Sequence, residues 1–170
     1  MSELALPKID KSTILNRNKI VSNLKKITKS ENVLDHNDEI KPYETDALSA
    51  YKQKPLVVVL PENVQEVSKI LKYCNEEKIK VIPRGAGTGL SGGALPLQDA
   101  ILLGLGKFNK ILEIDFNNKC VVSQPGVTNL AITHAVQHKG FYYAPDPSSQ
   151  LACSIGGNVA ENSGGVHSLK

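Results

Sequence analysis

Tryptophan is missing from this chain of 170 residues, and methionine occurs once. Aromatic residues make up only 5% of it, so a core must rest on Val, Ile and Leu. Cysteine is scarce: Cys74, Cys120 and Cys153 lie far apart, with no C-x-x-C. That spacing supports neither a metal motif nor a redox motif. An odd count, with no basic and apolar leader in Met1–Pro7, predicts reduced thiols in a cytoplasmic protein. No apolar run approaches the ~18 residues of a membrane span. The longest, Leu56–Leu60, has strand length. Neither sign of charge dominates, and a net charge of +3 gives no reason to expect nucleic acid. Lys25-Lys26, the densest basic pair, reads as a solvated helix face. Glycine is absent before residue 85.

The first 50 residues are polar. Ile14, Ile20, Val21, Leu24 and Ile27 recur at helical spacing, which predicts a helix near 11–28 capped by Asp10 or Ser12. Residues 31–51 read as a loop with short turns. The texture changes near Lys54. Leu56–Leu60 predicts a buried strand, and Pro61-Glu62-Asn63 ends it and opens a helix over 63–77. Val67, Ile70, Leu71 and Cys74 give that helix one apolar face. Residues 78–82 form the next strand, completing a β-α-β unit. A short strand follows at 101–103. Residues 111–114 and 120–123 flank a turn-forming Asp and Asn cluster and predict a hairpin. A helix from Thr128 to about Lys139 ends at Gly140.

All 13 glycines follow residue 84, and most gather in two patches. The first is Pro83-Arg84-Gly85-Ala86-Gly87-Thr88-Gly89-Leu90-Ser91-Gly92-Gly93, delivered by a strand. Without Cβ atoms its backbone N–H groups can turn inward around an anion, so it reads as a phosphate cradle. A flexible surface loop is the plainer reading, but linkers of that kind are rarely led by Pro-Arg and threaded with Leu and Ala. Gly87–Gly92 matches G-x-G-x-x-G literally. A dinucleotide fold needs a helix starting inside that motif, and Gly93-Ala94-Leu95-Pro96 cannot start one. A P-loop fails too, for want of Gly-Lys-Ser/Thr.

The second patch pairs a rigid half with a bare half. Pro145 and Pro147 fix the backbone around Asp146, and Ser148 and Ser149 add hydroxyls. Gly156-Gly157-Asn158 places amides at a helix start, and Asn158 and Asn162 stand i, i+4 on that helix. Carboxamides suit a ligand with mixed donor and acceptor edges, such as a heteroaromatic ring. A capped turn before a short helix is the plainer alternative. His134 and His138 also stand i, i+4, but Ala135 replaces the Glu a metalloprotease needs, so no metal site is expected. No serine sits in a G-x-S-x-G context.

Together these residues resemble the vanillyl-alcohol-oxidase-type (PCMH-type) flavoproteins. The 83–93 loop is similar to that family's first FAD loop. Gln124-Pro125-Gly126-Val127, Pro145–Ser149 and Gly156–Gly165 are similar to its later FAD segments, in the same order. The likeness is strongest to FAD-linked glycolate oxidase subunits and D-lactate dehydrogenases of that type. It covers about 46–170.

The resemblance implies an α+β fold: residues 1–50 as a helical extension, then 51–170 as a PCMH-type FAD-binding domain. That domain would comprise the first βαβ-containing subdomain and the start of the second, mixed-sheet one. It implies FAD held by Pro83, Arg84, Gly85, Ala86, Gly87, Thr88, Gly89, Leu90, Ser91 and Gly92 around the pyrophosphate. Pro125, Gly126, Pro145, Asp146, Ser148, Ser149, Gly156, Gly157, Asn158, Asn162, Gly164 and Gly165 would line the rest. Thr88 stands where covalent members carry His, so the FAD is expected to be non-covalent. The implied reaction is oxidation of a D-2-hydroxy acid such as glycolate or D-lactate. The implied partners are a second flavin subunit and an iron–sulfur subunit, with contact to the inner membrane only through them. Family members continue into a cap domain that carries the catalytic residues. This chain is therefore expected to be an amino-terminal fragment, with no catalytic residue of its own and reduced FAD affinity. A non-catalytic nucleotide-binding module, and a related flavoenzyme with another alcohol substrate, stay open as alternatives.

Overall fold

The computed structural model describes residues 7–167. The leader reading at Met1–Leu6 and the chain end at Lys170 lie outside that range.

Asp10 opens the first helix, its Oδ1 accepting the Ser12 N–H at 2.9 Å. The expected single helix is two: α1 (Lys11–Leu15) and α2 (Arg17–Ile27). Asn16 separates them, because its Nδ2 donates to the Ser12 carbonyl and competes with the helical pattern. α2 buries Ile20, Val21 and Leu24 in the main core. Two elements appear where a loop was expected. β1 (Val33–Leu34) is only two residues long, and α3 (Asn37–Ile40) is a single turn.

β2 (Val57–Val59) is fully buried, as a continuous apolar run in a sheet covered on both faces must be. Asn63 caps α4 (Val64–Glu76) by accepting the Glu66 N–H at 2.9 Å. β3 (Lys80–Arg84) and β4 (Ala100–Gly104) complete a sheet of order β1-β2-β4-β3. β4 is parallel to both of its neighbours, whereas β1 runs antiparallel to β2. The β2-α4-β3 crossover thus spans a gap that β4 fills. Ile70 and Cys74 of α4 join α2 on one face, and Ile40, Val58 and Leu102 form a smaller cluster on the other. β3 lies at the edge, where Pro83 withholds no ladder hydrogen bond from a second neighbour. The glycine loop leaves its carboxyl end.

The rest of the chain carries a separate two-stranded sheet. β5 (Ile111–Asp115) and β6 (Cys120–Ser123) pair as an antiparallel hairpin. Its turn is held by Asp115 Oδ1, which accepts the N–H groups of Asn117 and Asn118. α5 (Asn129–Val136) continues as a 3-10 turn to Lys139, and Gly140 ends it at φ +77°. α6 (Ile155–Glu161) follows the second patch. The fold is mixed α+β, as expected.

Candidate functional site

The two glycine patches meet. A cleft of about 400 Å³ opens between them, lined by Pro83–Gly89 on one wall and by Ser154, Gly156, Gly157, Asn158 and Glu161 on the other. Gly93, Ala94, Leu105, Pro125, Ala160 and Ser163 complete it.

The sequence dictates this closeness. A Cβ at Gly85 would lie 2.2 Å from Ser154 Oγ, and one at Gly156 would lie 2.6 Å from Pro125 Cβ. Glycine at 156 lets α6 seat this close on Pro125, and glycine at 85 lets the loop meet Ser154 without displacing its hydroxyl. Gly87 turns the loop through the left-handed region at φ +72°. The Gly156 N–H donates to the Pro125 carbonyl and the Ile155 N–H to the Val127 carbonyl, both at 2.8 Å. These bonds seat α6 on the segment that follows the hairpin.

Two buried polar atoms in the cleft have no protein partner: Ser154 Oγ and Asn158 Nδ2. Leaving such a group unpaired costs about 1–3 kcal/mol. Together with the bare loop backbone they offer hydrogen bonds to an acceptor-rich ligand, and the glycines leave it room. The residues therefore fit a phosphate-bearing cofactor. Among the described residues there is no cluster of His, Cys, Asp and Glu that could hold a metal.

Of the residues singled out in the sequence, Pro83–Gly89, Pro125, Gly156, Gly157 and Asn158 line the cleft. Leu90, Ser91, Gly92, Gly126, Pro145, Asp146, Ser148, Ser149, Asn162, Gly164 and Gly165 lie outside that lining. Several of these serve the architecture instead. A Cβ at Gly126 would press on the Leu105 and Phe108 carbonyls, at 2.6 and 2.7 Å. Asp146 Oδ2 pairs with His167 Nδ1 at 2.8 Å, and the His167 N–H donates to Oδ1. These bonds from His167 hold the Asp146 carboxyl below its usual range. Asn129, fully buried, donates to the Pro145 carbonyl at 2.9 Å and anchors that loop to α5.

Two local expectations are corrected. Asn158 and Asn162 do not share a helix face: α6 stops at Glu161, and Asn162 caps it in the left-handed conformation. The Gly156 and Asn158 N–H groups are not open at the helix start, since the Pro125 and Ser154 carbonyls accept them. Ser154 was missed by the sequence reading. Its signal is a small polar residue between Cys153 and Ile155, two positions before Gly156-Gly157.

Arg84 lines the cleft, yet its Nη1 donates to the Thr45 carbonyl at 2.8 Å and to the Tyr43 carbonyl at 3.3 Å. Burial lowers its pKa, and the negative charge of Asp46 opposes that shift, so it stays a cation. Burial also pushes the Cys74 thiol up to about 11, which leaves it unreactive.

Comparison with known proteins fixes the family. The model of a family described as "FAD binding domain" matches residues 55–170. The chain belongs to this family. The glycolate oxidase subunit GlcD of Escherichia coli K12 is 51% identical over 166 residues, covering 98% of this chain and 32% of its own length. A D-lactate dehydrogenase of Anaerostipes hadrus is 40% identical over 135 residues, covering 78% of this chain and 28% of its own. The crystal structure of p-cresol methylhydroxylase with substrate bound matches with a TM-score of 0.76 at 25% identity. That match covers 91% of this chain and 30% of the other. The chain spans about a third of the length of the curated relatives it matches. No helix among the described residues is long and apolar enough to cross a membrane.

Proposed function

We propose that the chain supplies the FAD-holding part of an oxidoreductase acting on a D-2-hydroxy acid of the glycolate or D-lactate class. The observation that carries this is the meeting of the two glycine patches around the unpartnered Ser154 Oγ and Asn158 Nδ2. The names of the relatives, a glycolate oxidase subunit and a D-lactate dehydrogenase, supply the substrate class. FAD, when bound, supplies the hydride acceptor.

The chain's own residues bind and orient. The 85–89 backbone forms the cradle for the pyrophosphate, with Arg84 behind it. Ser154 and Asn158 donate to acceptor atoms of the cofactor from the opposite wall. Thr88 sits in the cleft wall, and the 83–93 loop carries no His, so the cofactor is held without a covalent bond. Pro145, Asp146, Ser148, Ser149, Asn162, Gly164 and Gly165, outside the cleft lining, would contact the cofactor beyond the cleft. The FAD-binding domain is placed from 51, close to the start of the family match at 55, and the described residues before it, 7–50, add α2 to its core and β1 to its sheet. No residue here is assigned a catalytic role. Electrons pass to a second flavin subunit and an iron–sulfur subunit. The protein works in the cytoplasm, against the inner membrane only through those partners. The free Cys74, Cys120 and Cys153 support that setting.

A chimera tests this reading. Residues 1–170 replace the corresponding part of the Escherichia coli GlcD subunit. The chimera should purify yellow, oxidise glycolate with a dye acceptor, and release all its flavin on acid precipitation. A soluble chimera lacking flavin contradicts the assignment, and flavin that stays with the precipitate contradicts the non-covalent link.

A further inference from the structure

Segment Tyr43–Leu48 lies against the glycine loop. Nothing in its sequence marks it, since it has no periodicity and sits in the polar first part of the chain. The structure ties it to the loop by several kinds of contact. The Ala47 N–H donates to the Gly87 carbonyl at 2.9 Å. Arg84 Nη1 donates to the carbonyls of Thr45 and Tyr43, and its guanidinium carbon lies 5.6 Å from the centre of the Tyr43 ring. Leu48 Cδ2 approaches the second left-handed glycine, Gly92.

Asp46 sits in the middle of this segment and is 5% exposed. Its Oδ1 accepts the Leu48 N–H at 2.9 Å, and its Oδ2 has no hydrogen-bond partner. A buried carboxylate is costly unless a cation answers it. Arg84, whose Nη1 donates to the carbonyl of the adjacent Thr45, is a neighbouring cation, although no direct hydrogen bond or ion pair joins the two side chains. The guanidinium in turn occupies the space over Gly87, where a Cβ would lie 2.5 Å from Nη2. The loop therefore closes on one side over Arg84 and opens on the other to the cleft.

We propose that Asp46 and Arg84 are a positioning pair for the cofactor loop. The Tyr43 and Thr45 carbonyls hold the guanidinium on segment Tyr43–Leu48, the adjacent Asp46 charge supports it there, and the guanidinium backs the left-handed turn at Gly87. Arg84 thus acts through the loop, with Nη1 committed to protein carbonyls, and not as the principal phosphate ligand. The cofactor half of this inference rests on the FAD reading; the holding of the loop does not.

The test uses the 170-residue chain with Asp46→Asn, which keeps shape and the bond from Leu48 and removes only the charge. Hydrogen exchange is followed by mass spectrometry without cofactor, and FAD affinity by quenching of flavin fluorescence. Exchange across 84–93 should quicken by about tenfold while peptides over β2 and β4 stay unchanged. The FAD Kd should rise by about tenfold, and Asp46→Glu should restore part of it. Asp46→Asn combined with Arg84→Gln should bind no worse than Arg84→Gln alone. Ala47→Pro, which removes the N–H to Gly87, should give the same exchange pattern. Unchanged exchange in both Asp46→Asn and Ala47→Pro overturns the positioning role. Faster exchange with an unchanged FAD Kd overturns its link to the cofactor. A wild-type chain that ignores FAD overturns the FAD reading and that link, while the exchange data still decide whether the pair holds the loop.

Discussion

Gly156 and Gly157 are neighbours in α6, yet alanine should affect them in different ways. Both substitutions gain helix propensity, about 1 kcal/mol each. At Gly156 the new Cβ would lie 2.6 Å from Pro125 Cβ and 3.0 Å from the Pro125 carbonyl oxygen. Neither atom can rotate away, and that carbonyl already accepts the Gly156 N–H at 2.8 Å. Overpacking against such partners costs about 1–3 kcal/mol, so the net change is a loss of up to about 2 kcal/mol. At Gly157 the nearest atom is Ser154 Oγ at 3.3 Å. That hydroxyl can turn, at a cost of about 0.5–1.5 kcal/mol that the propensity gain roughly cancels. The two variants should therefore differ by about 1–2 kcal/mol, or about 2–8 °C in Tm. Thermal unfolding of the cofactor-free chain, followed by circular dichroism, reads the difference. FAD titration should then separate stability from binding, because a methyl group at Gly157 projects into the cleft. Gly157→Ala should keep its Tm and lose affinity. A Gly157→Ala chain that melts below Gly156→Ala would refute the packing argument.

Asn158→Leu removes an unpartnered buried amide, so the cofactor-free chain should gain about 1 kcal/mol in denaturant unfolding while FAD affinity falls. Gly87→Asp sets a side chain at φ +72°, which adds roughly 1–3 kcal/mol of strain, and drives its Cβ into the Arg84 guanidinium that backs the loop. It should abolish FAD retention, and unchanged retention would remove the loop from the site. Glu62 is held down to about 2 by Lys29 first, then by Asn32 and Lys107. Its folded pKa is depressed, so its stabilising effect is complete above the usual ~4.3 and is lost as pH falls towards about 2. Glu62→Gln should flatten acid unfolding across that window, as read by tyrosine fluorescence.

The elements with strong periodicity were legible. β2 is a run of branched residues between prolines, and α4 has a cap and one apolar face, so both follow from local rules. The hairpin and Gly140 carry their own turn chemistry. β1 was not legible, because two residues cannot show a period and its place comes from pairing with Val58 and Val59. The insertion of β4 between β2 and β3 is likewise a property of the whole sheet. In the site, glycine density marked both walls of the cleft but not which amides stay open. Tertiary bonds decide that, as at Gly156, where the Pro125 carbonyl takes the N–H. Asn162 failed as a partner of Asn158 because helix spacing holds only while the helix lasts. Segment Tyr43–Leu48 was silent in sequence, because it meets the loop mostly through backbone atoms.

The cleft between residues 83–89 and 154–161 is the proposed seat of FAD. Titrating the 170-residue chain with FAD, and recording bound flavin absorbance together with Tm, tests that assignment most directly. A saturable flavin band, a raised Tm, and complete release of flavin on denaturation are expected. Neither bound absorbance nor a thermal shift at saturating FAD would contradict that assignment.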